Sequence, residues 1–323
     1  MTETDAPIGR PRVLIMAFQG WSDAGDATTE VLQHLGDLMG GEVLHAIGSE
    51  GYVDFQVHRP KISIDEHGDR RLDWPDTRLI GTGREGRDPD DAIDGPAETV
   101  RRIDGSPVTD LFLLAGVEPS RDWQNFADDV VEMLESWDID VVIILGSMFS
   151  DAPHSRPIVT TLTSESARLR ADTGAERSSY EGAVGISTVI DLALVASGFE
   201  TVSLWAQVPH YVHSSPSPKA TLALLDKLEE LLDIVIPRGD LLVQANEWES
   251  NINRIAAGDE DMSRYIRSLE DSRDEALAAE TTGDALAAEF EKFLEGGRDG
   301  EPKPGRTGTD SSDGDADDDG SAE

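Results

Sequence analysis

Along the first two-thirds of the chain, short apolar runs alternate with apolar residues at helical spacing, and that alternation predicts a layered α/β fold. Val13 to Phe18 is a continuous apolar run and reads as a buried strand. A turn from Gly20 to Gly25 follows, after which Ala27, Val31, Leu35 and Leu38 mark one face of a helix. Asp23 is placed to cap that helix. Glu42 to Ile47 predicts a second strand, while Ile62–Ile64 and Arg71–Trp74 flank Asp65–Asp69 as the arms of a hairpin. Leu111–Ala115 and Val141–Leu145 are near-continuous apolar strands, the pattern of a sheet covered on both faces, with a helix from Asp122 to Trp137 between them. A helix is expected to begin near Ile186, and Val202–Trp205 is a further strand. Pro218–Leu232 is a helix with Ser217 as its cap and Pro218 in its first turn. These elements predict a three-layer α/β/α domain over residues 10–237.

Beyond it the pattern becomes purely helical. Leu242, Ala245, Trp248, Ile252 and Ile255 form one stripe, Met262, Tyr265 or Ile266, and Leu269 a second, and Leu286, Phe290 and Phe293 a third. Three amphipathic helices over residues 238–295 need cover for their apolar faces, from the α/β domain or from another subunit. Trp248, Ile252, Tyr265 and Phe290 are therefore candidates for an oligomer interface. Residues 296–323 carry nine acids, three bases and hardly any apolar side chain, so they are expected to be a disordered acidic tail. Gly81 to Pro107, polar and glycine-rich between two apolar segments, is expected to be a surface insertion.

Charge narrows the possible partners. The 323 residues hold 65 acids against 27 bases, a formal net charge of −38. So large an acidic excess argues strongly against nucleic acid as a partner, because phosphate binding needs Lys and Arg, and an anionic membrane surface is disfavoured. The absence of cysteine removes disulfides, thiolate nucleophiles and cysteine zinc sites. The N-terminus has neither a basic start nor an apolar stretch, and the apolar runs fall well short of the ~20 residues of a membrane span. A soluble, cytoplasmic protein is expected.

Several strings could carry chemistry. Gly20-Trp21-Ser22-Asp23-Ala24-Gly25 lies where α/β folds bind anions, but Asp23 and Asp26 would repel phosphate. It is a capped structural turn or a ligand or partner site. Ser147, Asp151 and His154 are the residue types of a hydrolytic triad, yet Gly146-Ser147-Met148-Phe149 lacks the second glycine of a nucleophile elbow. The loop around Ser147, His154 and Arg156 is read as lining a cleft at the strand ends. His210-Tyr211-Val212-His213 has close histidine spacing without an accompanying carboxylate, so a hydrogen-bonded loop histidine is favoured over a metal site. In Tyr180-Glu181-Gly182, Glu181 could serve as a general base, or the glycine could simply permit a turn. No metal and no cofactor are expected.

Together these strings resemble the proteasome assembly chaperone 2 family in its actinobacterial form. The resemblance rests on Gly20–Gly25, Gly116-Val-Glu118-Pro119, Asp151-Ala-Pro-His154-Ser-Arg156-Pro157, Tyr180-Glu181-Gly182 with Gly185, Leu204-Trp205-Ala206, Val208-Pro-His210-Tyr211 and Ser217-Pro-Lys219-Ala220. It covers about Arg12 to Pro237. It implies an α/β/α core similar to nucleoside phosphorylases and related hydrolases. It also implies a non-enzymatic, homo-oligomeric interaction or assembly role, with itself and proteasome subunits or another protein as partners. One departure is that the chain ends Gly320-Ser-Ala-Glu323, without the hydrophobic-Tyr ending through which archaeal relatives engage the α-ring. The alternative is a small-molecule-binding protein or hydrolase-like enzyme using the cleft at the carboxyl ends of the strands.

Overall fold

The computed structural model describes residues 10–65, 67–82, 99–213 and 216–296, the side chains of 280–296 excepted. In chain order the strands are β1 (Val13–Gln19), β2 (Glu42–Ile47), β3 (Lys61–Ile64), β4 (Arg70–Asp73), β5 (Thr77–Gly81), β6 (Arg101–Arg102), β7 (Leu111–Val117), β8 (Val141–Ser150), β9 (Thr160–Thr163), β10 (Glu200–Pro209) and β11 (Ile234–Val235). The helices are α1 (Ala27–Met39), α2 (Trp123–Ser136), α3 (Ala167–Thr173), α4 (Ile186–Ala196), α5 (Pro218–Leu232), α6 (Leu241–Ala256) and α7 (Glu260–Gly296).

Seven strands form one mixed sheet in the order β2-β5-β7-β1-β8-β10-β9. β7, β1, β8 and β10 run parallel, whereas β5 is antiparallel to β7, β2 to β5 and β9 to β10. The central strands are apolar without alternation because both faces are covered. Ile15, Leu113 and Leu145 meet Val31 and Leu35 of α1 and Leu224 and Leu228 of α5. Leu14, Met16 and Ile144 meet Phe126 and Val130 of α2 and Ile186 and Ile190 of α4 on the other face. The expected three layers are present. The hairpin is also present as β3–β4, pairing Ile62 with Leu72.

Four local readings change. β8 runs five residues past Leu145, because β10 pairs with it in parallel from Glu200 to Pro209. Ser147 therefore sits inside a central strand and not on a strand-end loop. The expected insertion is anchored at its ends: Gly81 closes β5, Arg101–Arg102 pairs with β11, and Val100 is buried in the core. The stretch between, 83–98, lies outside the described residues, as does the acidic tail from 297. Ser217 stands at the N-cap of α5, but its hydroxyl has no hydrogen-bond partner. Finally, two helices follow the α/β elements instead of three, since α7 continues through Gly283.

The chain divides after Arg273 into two compact units. In the first, α6 packs on α5. Its buried residues are Leu241, Ala245, Trp248, Ile252 and Ala256, whereas Leu242 and Ile255 of the expected stripe are exposed. Phe290 lies outside the residues whose side chains are described.

Candidate functional site

The carboxyl ends of β1, β7, β8 and β10 carry almost every string singled out above, and the structure shows how they interlock. In the Gly20–Gly25 loop, Gly20 adopts φ +149°, and a Cβ there would lie 2.8 Å from Glu118. Gly25, at φ +64°, is equally close to Ser217. Only glycine meets both demands. Between them Ser22 accepts the Ser147 N–H through its backbone carbonyl at 2.8 Å. Asp23 is buried, and its carboxylate accepts the N–H groups of Thr28 at 2.8 Å and Thr29 at 3.2 Å together with both hydroxyls. It satisfies orphan amides in the first turn of α1 from three residues upstream of Asp26, which holds the N-cap position in a left-handed conformation. Trp21 is turned outward and is 72% exposed.

Glu118, at the end of β7, joins two of these segments. One carboxylate oxygen accepts the Trp21 N–H at 3.0 Å and the other the Ile186 N–H at 2.9 Å, capping α4. Ser147 is fully buried and donates to the Ala24 carbonyl at 2.9 Å. Ser147 is thus sealed inside the fold, whereas Glu118 is half-buried with both carboxylate oxygens engaged.

His154 is also fully buried. Its backbone N–H donates to the Tyr211 hydroxyl at 2.7 Å, which lies 2.8 Å from Nδ1, while Nε2 lies 3.1 Å from the side-chain Oδ1 of Asn253 in α6. With the backbone N–H already directed at its oxygen, the tyrosine donates its proton to Nδ1, leaving Nε2 protonated toward Asn253. Burial lowers the His154 pKa, so the ring is neutral at neutral pH. Burial likewise pushes the Tyr211 hydroxyl up to about 12. Around this pair lies a seam that fastens α6 and the start of α7. Lys219 bridges the His154 carbonyl and Glu249, each at 2.6 Å. Arg156 and Ser155 hold Glu270, and Tyr265 donates to Asp151 at 3.1 Å. The rings of Trp248, Tyr211, His210 and Tyr265 meet edge to face along it. His210 adds contacts to the Ser150 carbonyl and to Asp151.

The candidate residues have different partners, although His154 and His210 meet around Tyr211. Ser147 bonds to the turn after β1, His154 to Tyr211 and α6, and Glu181 stands exposed on a different loop. Trp248 and Ile252 are covered within the chain and present little surface to another subunit. Large apolar side chains face outward at this end, Trp21, Met148, Phe149, Tyr180 and Val184, beside the exposed carboxylates of Asp151 and Glu181; Tyr180 is 68% exposed and its hydroxyl donates to Ala183. Met148 and Phe149 escaped the sequence reading because they sit at the end of a run otherwise typical of buried strand. Asn253, Glu249 and Glu270 gave no signal, since their partners lie between 30 and 115 residues away on other elements.

The larger of the two described cavities, about 1130 Å³, lies at the opposite end of the sheet. Val13, Leu111, Val141 and Glu200 line it, the residues that open β1, β7, β8 and β10. Among the described residues no three His, Asp or Glu side chains gather as a metal site would require. None of the helices there is long and apolar enough to cross a membrane.

The PAC2 family model matches residues 17–256. A PAC2 family protein from Streptomyces avermitilis is 37% identical with a TM-score of 0.67, and the match covers 79% of this chain and 99% of that one. The Mycobacterium tuberculosis proteasome-assembly chaperone homologue Rv2125 is 36% identical over the same shares, with a TM-score of 0.64. Pyrococcus furiosus PbaB, an archaeal proteasome activator, is 14% identical with a TM-score of 0.55, covering 78% of this chain and 96% of that one, a likeness of fold alone. Among curated proteins none matches. The interlocked strings lie within the matched span, and on that evidence the chain belongs to the PAC2 family.

Proposed function

We propose that this protein is a non-enzymatic, homo-oligomeric interaction or assembly factor acting in the cytoplasm, with proteasome subunits or a related protein complex as its partner. The observation that carries the reading is the outward apolar crown of Trp21, Met148, Phe149 and Tyr180, set on strand ends where Glu118, Ser147 and His154 are held by internal bonds. Large exposed aromatic side chains on a rigid frame are the usual anchors of protein recognition. A buried serine bonded to a backbone carbonyl and a histidine bonded to tyrosine and asparagine give no route to acyl transfer. Support for the partner class comes from the relative described as a proteasome-assembly chaperone homologue.

Purified proteasome α subunits of the same source organism provide the test. The wild-type chain should bind them, and Trp21→Ala with Phe149→Ser should weaken binding about tenfold or more, since truncating a central aromatic anchor typically costs ~2 kcal/mol. Equal binding by both proteins would move the contact elsewhere. Absence of binding by the wild type would remove this partner class.

A further inference from the structure

The β3–β4 hairpin is an amphipathic arm with one side uncovered. Its register places Ile62 opposite Leu72 and Ile64 opposite Arg70, so Ile62, Ile64 and Leu72 share one face with Arg70 at its tip. These three side chains are 55–72% exposed. The other face carries Lys61 opposite Asp73, and Ser63 opposite Arg71, which pairs with Asp65 at the turn. The base is fixed: the Phe55 and Trp74 rings lie 5.0 Å apart, Tyr52 donates to Asp129, and Ser120 donates to the Tyr52 carbonyl. Beyond that base, β3 and β4 pack on each other. A lone two-stranded ribbon is marginal in water and needs cover for its apolar face.

Charge indicates what the cover is. Residues 59–78 hold five basic and five acidic side chains, so the chain's entire excess of −38 lies outside them. Two copies of so acidic a chain repel one another, and a charge-balanced arm adds no net charge to a contact between them. A two-fold contact is self-complementary, with each surface meeting its own image. A neutral ribbon with an apolar face and carboxylates beside guanidinium groups suits such a contact. We propose that the arm docks on the same arm of a second copy, Ile62, Ile64 and Leu72 of each ribbon covering those of the other in a two-layer, four-stranded junction. This rests on the self-association in the function proposed above and assigns it a surface.

The chain has no cysteine, so single replacements report cleanly. In the full-length protein at micromolar concentration, Leu72→Cys under mild oxidation should yield a covalent dimer, whereas Lys61→Cys on the opposite face should not. Sedimentation of Ile64→Lys with Leu72→Lys should show self-association weakened about tenfold or more, with unchanged far-ultraviolet circular dichroism confirming the fold. Wild type that associates as strongly as the double variant, or Leu72→Cys and Lys61→Cys cross-linking equally, would overturn the arm while leaving self-association standing. A wild type that stays monomeric would overturn both the arm and the oligomeric part of the proposed function.

Discussion

Asp23 shows how one side chain can fix a strand-to-helix turn. Its carboxylate accepts from the amides and hydroxyls of Thr28 and Thr29. Asp23→Ala should destabilise the protein by about 1–2 kcal/mol, the usual cost of a lost helix cap, measured as a fall in the urea midpoint at constant slope. At Gly146 a Cβ would lie 2.5 Å from the rigid Trp205 ring, its register partner on β10. Gly146→Ala should therefore cost about 1–3 kcal/mol through overpacking, while Trp205→Leu in the same background should recover part of the loss. Ser147→Ala should leave fluorophosphonate labelling unchanged at background, because the hydroxyl is buried against Ala24; labelling that disappears with the variant would restore the hydrolase alternative. The cap at Asp23 was legible because a carboxylate stood just ahead of a helical stripe. The burial of Ser147 was not, since sequence alone does not show that β8 stays paired with β10 well past Leu145.

At the scale of elements, the His154 seam determines how α6 and the start of α7 are held. His154→Ala should remove the bonds to Tyr211 and Asn253 and raise amide hydrogen exchange in α6 more than in α5. The seam should also respond to acid. Burial lowers the His154 pKa below the ordinary histidine value, so the unfolded chain binds the proton more readily than the folded one. The stability from the neutral ring is full above the unfolded-state value of ~6.5 and is lost as pH falls through the lower folded-state value. Glu249 and Glu270, which favour the charged ring, moderate the loss, and Lys219 opposes them. Urea unfolding between about pH 7.5 and about pH 5 should show a steeper decline for wild type than for His154→Gln; parallel declines would contradict this role. Helix α6 was visible as a stripe of Ala245, Trp248 and Ile252, but its buried face extends to Leu241 and Ala256 instead of Leu242 and Ile255. Both choices satisfy helical spacing, and only the position of α5 and His154 separates them. Strand β5 passed unnoticed because Leu79 and Ile80 are too few to signal a strand that the antiparallel edge of the sheet then stabilises.

For the whole molecule, the alternation of apolar runs and helical stripes was enough to give the layers, because both faces of the central strands are covered and their composition records it. It could not give the strand order, which depends on β2 and β5 joining the sheet antiparallel beyond β7. The motifs were readable as residues but not as roles: most proved to fasten the strand ends to one another and to α6, and the outward surface fell to neighbours such as Met148 and Phe149. The central claim is that recognition happens at that surface. Amide hydrogen exchange of the full chain, with and without the purified proteasome α subunits, tests it most directly. Protection concentrated in residues 20–26, 147–150 and 180–185 is the expected result; protection confined to the amino ends of the strands around Val13, Leu111 and Val141, or none at saturating partner, would contradict it.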